Sequence, residues 1–539
     1  MSSAEANTVE QLKAAANDLY LKGDYEAAHL TYSQAIEEDS TNPTLFANRA
    51  QTDLAMKKFV VLFLQHAQKA VDLDPKFCKA WGRLATAQHA LAQYSASIDA
   101  WQKALLSLPP VPGEAKLRSQ FESGLRAAQI EQESVKKQYV PTDGVVESKD
   151  LPWNRALAMK DALLKDKGDS MNSSAWIIMA AYKDFSEGVK LMNEGDIDVG
   201  RKGKLSALTL LSNGILRDSR VFHMNLPDWV EKYNRRAIFE NKLYNAWLDG
   251  GVTAVQEEAM VRLQAKGWDD VRAALSVTVR GWIVVGLIAS NDGPENGSAA
   301  MECFSQAIGV LQWGRNMWQR VPREQRGEIF DSAFLRGVKR LFLSAFVKAY
   351  TNSLGPDSDY DLDDLYEMTR DYIKEVQADP PKFIRDEMDP GFLSSFWLYP
   401  QAEGFSILGF VHMRKGLDAL ERKDDKAAEE FTQAAKWYSQ AGQSYPQDDE
   451  KHVFFLAIAM EALWRRGTDL GQLLPLCKVI REGIPEMKRI WEYSPMAEER
   501  NRIVQEILDF EDEYRSKLKR GECTLKDVVC PVSFQSVSS

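Results

Sequence analysis

The chain has 539 residues, 45% hydrophobic and 27% charged, with 14 Trp and 23 Phe. That is enough to bury a large core and to fill about three or four domains of ~150 residues. A formal net charge of −11 argues against a general binder of nucleic acid or anionic membrane, so any basic site has to be local.

The opening stretch MSSAEANTVEQ is polar, so no secretory signal is expected and the protein is placed in the cytoplasm. From there a repeat runs along the chain. Small–x3–aromatic–x2–Ala occurs as Ala28, Tyr32, Ala35 and as Ser97, Trp101, Ala104. Between them Phe63, Ala67 and Ala70 keep the spacing with the first two residue types exchanged. The last Ala of each unit falls at 35, 70 and 104, a period of 35 and then 34. Pro75 and Pro109 each follow five residues later. Such a period belongs to a helix–turn–helix repeat, with small residues where two helices cross closely and an aromatic side chain between them. It resembles the tetratricopeptide repeat.

Three repeats are expected over about Thr8 to Pro110. Thr8 and Gln11 offer a capping box for the first helix, and Pro43 suits the first turn of the third. Leu117, Phe121, Leu125 and Ala128 then follow helical spacing, as a helix covering the open end of a solenoid requires. FVVLFL, Phe59 to Leu64, is unusually apolar and carries a one-residue insertion, so the second hairpin is expected to be distorted. The tetratricopeptide domain with its cap is assigned to 8–135.

Residues 136–150 are polar with Pro and Gly and read as a linker. Beyond them helical segments alternate with loops, assigned as one helical domain over 151–355 and another over 380–520, with a flexible tail over 521–539. The most apolar run, Gly281 to Ser290, follows Arg280 and is about half a bilayer span. It reads as buried helix, with no membrane insertion. The repeat echoes here: Trp282, Val285, Gly286 and Ala289 pair with Ala300, Phe304 and Ala307. Phe405, Leu408, Gly409 and His412 pair with Ala427, Phe431 and Ala434. The fold class is therefore all-α: a three-repeat solenoid with a capping helix, then a large helical region with degenerate hairpins of the same kind.

A solenoid is scaffolding, and function has to come from its side chains. Lys13 and Asn17 lie four apart on one helix face, Asn48 lies on the first helix of the next repeat, and Lys79 and Arg83 lie four apart on the first helix of the third. Lys and Arg are pure donors and Asn adds two N–H donors. Together they suit an anionic peptide end, where an α-carboxylate and an acidic side chain lie close.

LKAAAN (Leu12–Asn17), FANRA (Phe46–Ala50) and KAWGR (Lys79–Arg83) resemble the dicarboxylate-clamp tetratricopeptide domains of heat-shock co-chaperones, KAWGR being nearest to the small glutamine-rich group. The resemblance covers about the first quarter of the chain. It implies that Lys13, Asn17, Asn48, Lys79 and Arg83 form the clamp. It further implies that the partner is the C-terminal Glu-Glu-Val-Asp tail of heat-shock chaperones of the 70 and 90 classes. The departures are Ala16, where the family carries Gly, and the insertion between Asn48 and Lys79. The helical remainder is left for an unidentified client or partner, or, on a scaffold reading, for another multiprotein complex. The aromatic-rich late segment (Phe396, Trp397, Leu398, Tyr399, Trp437 and Tyr438) is expected to be mainly core.

Enzyme motifs fail on their residues. Asp357, Asp359, Asp361 and Asp363 open like a calcium loop, but Leu362 and Met368 stand where Gly and Glu belong. Gly195 and Gly200 imitate a phosphate loop, but Arg201–Lys202 replace the Lys–Ser/Thr pair. The histidines His29, His66, His89, His223, His412 and His452 are isolated in sequence. Cys78, Cys303, Cys477, Cys523 and Cys530 form neither a disulfide framework nor a C-x-x-C zinc site, and read as reduced thiols. No catalytic residue, metal or cofactor is expected, and no nucleic-acid partner.

Overall fold

The computed structural model describes residues 3–55, 60–90, 94–109, 112–138, 148–165, 172–193, 206–224, 228–247, 251–291, 296–353, 360–381 and 389–531. Among these every extended element is helical, and the one sheet-like pairing is an isolated bridge between Asp469 and Val528. The fold is all-α. The chain divides into two compact units. The first comprises Met1–Val145, Met192–Asp198 and Met224–Gly250. The second comprises Val146–Leu191, Val199–His223 and Gly251–Ser539.

The first unit is a run of helical hairpins: α1 (Ser3–Leu21) with α2 (Tyr25–Glu38), α3 (Pro43–Ala55) with α4 (Val60–Leu73), and α5 (Cys78–Ala90) with α6 (Tyr94–Leu106). Asp24 starts α2 by accepting the Ala27 N–H at 3.2 Å, just after Gly23 turns the chain at φ +82°. The repeat residues do what their spacing implies. Ala28, Tyr32 and Ala35, then Ala67 and Ala70, then Ser97, Trp101 and Ala104 are all buried. They meet Ala16, Ala47, Ala50 and Ala85 of the facing helices. Capping helix α7 (Ala115–Gln138) closes on this stack through Phe121 and Ala128. Its Gly124 lies so close to Trp101 that a Cβ would stand 2.4 Å from the indole, while Gly82 of α5 makes room for the Phe121 ring.

One expectation for this unit shifts, and another falls partly outside the described residues. Helix α1 begins at Ser3, so Thr8 and Gln11 lie inside it rather than at its start. Ala4, Glu5 and Ala6 are good helix formers that extend it backward. The apolar FVVLFL stretch falls partly on residues 56–59, outside the described set.

In the second unit come α8 (Pro152–Lys165), α9 (Ser174–Asn193, ending just inside the first unit) and α10 (Ala207–Arg217). Helix α11 (Trp229–Tyr244) belongs to the first unit, where Ile238 packs against the solenoid core. By sequence it lies in the range assigned to the helical domain 151–355. The second unit continues through α12 (Gly251–Lys266), α13 (Trp268–Asn291), α14 (Gly297–Met317), α15 (Arg323–Arg326), α16 (Ser332–Asn352) and α17 (Leu362–Ala378). It finishes with α18 (Pro390–Leu393), α19 (Tyr399–Glu421), α20 (Ala427–Ser444), α21 (Glu450–Arg466), α22 (Leu470–Trp491) and α23 (Ala497–Arg520).

Both late echoes of the repeat are real hairpins. Gly286 of α13 receives Phe304 of α14; Gly409 of α19 receives Tyr438, and Gly416 receives Phe431. The second pair of contacts runs in opposite senses along α19 and α20, so those helices are antiparallel. Val285, expected on the packed face, is exposed. Of that late segment, Phe396, Tyr399 and Tyr438 are core, and Leu398 is exposed.

Helix α13 is longer than its apolar run suggested. By length and composition it is the one described helix able to cross a membrane, and 61% of its most apolar stretch is buried within the protein. Arg280 in its middle is itself buried, donating to Ser212 Oγ, to Asn213 Oδ1 and to Glu328. These are the marks of a core helix.

The tail assigned to 521–539 is anchored at its start. The N–H groups of Leu470 and Gly471 donate to the carbonyls of Asp527 at 3.1 Å and Leu525 at 2.8 Å.

Candidate functional site

Helices α1, α3 and α5, the first of each repeat, carry the five clamp candidates, and the structure links three of them side chain to side chain. Asn48 Nδ2 donates to Asn17 Oδ1 at 3.2 Å, and Arg83 Nη1 donates to Asn48 Oδ1 at 3.2 Å. The chain of bonds therefore crosses from α1 to α3 to α5. Asn17 Oδ1 also accepts the Tyr32 hydroxyl at 2.6 Å from the second helix of its own hairpin. These mid-helix asparagines, poor helix formers in isolation, are held by partners on neighbouring helices.

The two lysines behave differently. Lys13 is half-buried, and its ammonium pairs with Glu10 Oε1 at 2.6 Å, one turn back on α1. A pair so exposed to solvent stabilises by about 0–1 kcal/mol and can exchange partners readily. Lys79 is exposed at the start of α5. Arg83, by contrast, is half-buried and tied to Asn48. Its burial lowers its pKa from the ordinary guanidinium value. Burial raises the pKa of the Tyr32 phenol, against the hydrogen bonding that lowers it, so the hydroxyl stays a donor.

Chemically the arrangement is one-sided. The carboxamide oxygens of Asn17 and Asn48 are engaged within the protein, so what the constellation has left to offer is N–H: amide hydrogens, guanidinium hydrogens and ammonium groups. A donor-only set recognises carboxylates through charge-assisted bonds of about 1.5–3 kcal/mol each before ordering costs. Tyr32 is the member that sequence reasoning used only as a spacer. Its place facing the first-repeat Asn was the available signal.

A second cluster was missed altogether. His29 of α2, Asp53 of α3 and His66 of α4 meet across the first two repeats. His66 Nδ1 lies 2.6 Å from Asp53 Oδ2, and His29 Nε2 lies 3.2 Å from Asp53 Oδ1. The isolation of the histidines in sequence does not survive folding, because three helices bring residues 29, 53 and 66 together with no local motif.

Residues 195–202 and Asp357 with Asp359 lie outside the described residues. Asp361 serves as N-cap of α17, accepting the Asp363 N–H at 2.6 Å.

No family model matches the chain. Part of it is similar to the small glutamine-rich tetratricopeptide repeat-containing protein 2 of Mycosarcoma maydis, 34% identical over 102 residues, which are 19% of this chain and 29% of that protein. It is 32% identical over 111 residues to serine/threonine-protein phosphatase 5 of Homo sapiens, covering 21% of this chain and 22% of the phosphatase. To the heat shock protein sti1 homolog of Schizosaccharomyces pombe it is 33% identical over 96 residues, 18% of this chain and 16% of that protein. The chain thus spans less than a third of the length of each of these relatives.

Proposed function

We propose that the N-terminal solenoid is a receptor for acidic peptide ends of the Glu-Glu-Val-Asp kind carried by heat-shock chaperones of the 70 and 90 classes. The protein is then a non-enzymatic co-chaperone or adaptor of the cytoplasm, whose second unit engages a further protein. The observation that carries this reading is the Asn17–Asn48–Arg83 bond chain across three successive first helices, flanked by Lys13 and Lys79. Apart from Lys13, which holds Glu10 in a solvent-exposed pair that a ligand can displace, what these residues have left to offer is N–H, which favours a ligand bringing two carboxylates. Similarity of about a fifth of the chain to tetratricopeptide proteins, a heat shock protein homolog among them, supports the same partner class.

The test titrates the full chain with a fluorescent peptide ending in Glu-Glu-Val-Asp and with its C-terminally amidated twin. The free acid is expected to bind at about micromolar Kd, near −8 kcal/mol, and amidation or Lys79→Ala to weaken it at least about tenfold, the loss of one charge-assisted bond. Because Lys79 is exposed, its truncation leaves the fold intact. Equal binding of both peptides would replace the clamp with a groove for internal peptides in some other assembly. Absence of binding by the folded chain would reject the chaperone-tail reading.

A further inference from the structure

We propose that His29, Asp53 and His66 form a binding site for a zinc-class divalent metal ion, which joins the first two repeats of the solenoid. The donor set is the first argument. Two imidazole nitrogens and one carboxylate suit first-row divalent ions such as Zn2+ and Co2+, whereas Mg2+ and Ca2+ select oxygen ligands. Three protein ligands leave a fourth position open for water.

Geometry is the second. All three donor atoms lie within 4.8 Å of one another. At metal–ligand distances of ~2.0–2.1 Å a tetrahedral ion spaces its ligands roughly 3.3 Å apart. The 3.2 Å between His29 Nε2 and Asp53 Oδ1 already has that spacing. The 2.6 Å between His66 Nδ1 and Asp53 Oδ2 is a hydrogen bond; it opens by a small rotation of the carboxylate as the ion takes the proton's place. Binding therefore releases any proton held on the coordinating nitrogens.

The third argument is an unsatisfied atom. Asp53 is only 1% exposed, and its Oδ1 makes no hydrogen bond beyond the 3.2 Å ion-pair contact with His29 Nε2. A buried carboxylate oxygen so weakly paired is costly, and an ion seated against His29 satisfies it. His29 retains partial exposure, which gives the ion a way in. The ligands come from α2, α3 and α4, so one ion fastens the first hairpin to both helices of the second. Asp53 lies on α3 five residues after Asn48, which places this fastening on the helix that carries the centre of the bond chain.

The experiment uses the full chain without a histidine tag, stripped with a chelator. Co2+ is titrated while its visible absorption is followed, and Zn2+ affinity is measured by competition against a chromophoric chelator. One equivalent of Co2+ should give a tetrahedral spectrum that Zn2+ abolishes, and Zn2+ should raise the unfolding temperature where Mg2+ does not. His29→Gln, at the exposed edge, should weaken Zn2+ at least about tenfold, since even outer-shell partners of a metal cost about 10–100-fold. His66→Gln should do the same. Should the buried His66 variant fail to fold, His29→Gln decides the matter alone. A chain whose melting ignores Zn2+, whose His29→Gln variant binds it as tightly, or that responds equally to Mg2+ would overturn the site.

Discussion

The two units bury different things. The first closes on alanines: Ala16, Ala28, Ala35, Ala47, Ala50, Ala67, Ala70, Ala85 and Ala104 are inaccessible to solvent, with Tyr32, Trp101 and Phe121 filling the larger gaps. Among the described residues the second buries the larger set of arginines, where the first has Arg236 beside Glu240 on α11. Arg220 is clasped by Asp218 at 2.7 Å and Asp449 at 2.9 Å, reaches Glu450 at 3.4 Å, and lies 3.8 Å from the centre of the Trp491 ring. Arg500 reaches the same Glu450 at 3.0 Å and the Trp491 carbonyl at 2.9 Å. Arg336 and Arg340 of α16 donate to the carbonyls of Phe396 and Ser395, in the π-helical turn that precedes α19. Close packing of small residues is indifferent to charge and pH. A buried ionic lattice holds only while every member is paired.

The sharpest way to break the contrast is Arg220→Met. It removes the cation from between Asp218, Asp449 and Glu450, and loss of one partner from a buried pair costs about 3–5 kcal/mol. Denaturant unfolding should show the second unit losing that much while binding of the acidic peptide by the first persists. Glycine substitutions come next and should strike both units alike. Gly82→Ala puts a Cβ 2.6 Å from Phe121, and Gly409→Ala puts one 2.8 Å from the Tyr438 ring. Overpacking of about 1–3 kcal/mol, less about 1 kcal/mol of helix propensity, leaves a net loss of about 0–2 kcal/mol. Gly281→Ala has nothing within 4 Å of its new methyl and should instead stabilise by about 0.5–1 kcal/mol.

The smallest effect is in pH. Burial lowers the pKa of His223 and of His452 below the ordinary imidazole value, although hydrogen bonds to the carbonyls of Val221 and Gly442 partly oppose it. The unfolded chain therefore binds more protons than the folded one as pH falls through about 6.5. Their stabilising contribution is complete above that value and is lost below it. Urea midpoints between about pH 7 and about 5.5 should fall for the parent chain, and less steeply for His223→Gln with His452→Gln.

The same contrast explains what could be read before folding. Each repeat satisfies itself within about one period, so Ala28, Tyr32 and Ala35 and their later copies announce the hairpins from spacing alone. The clamp candidates share that legibility, because Asn17, Asn48 and Arg83 occupy the first helices of successive units. The Arg220 cluster has no period. Its members at 218, 220, 449, 450 and 500 come together only through the packing of distant helices. His29, Asp53 and His66 were hidden differently, being near in sequence but on three helices, with no spacing that any metal motif uses. The placement of α11 in the first unit was also beyond sequence, since nothing in Trp229–Tyr244 repeats the solenoid's pattern.

The short stretch from Thr524 to Val528 has a practical reach. By handing two carbonyls to the first turn of α22, it takes up the Leu470 and Gly471 N–H groups that a helix start leaves orphaned. A truncation at Gly521 would therefore return an unsealed helix end to solvent. One made after Pro531 would leave the seal in place.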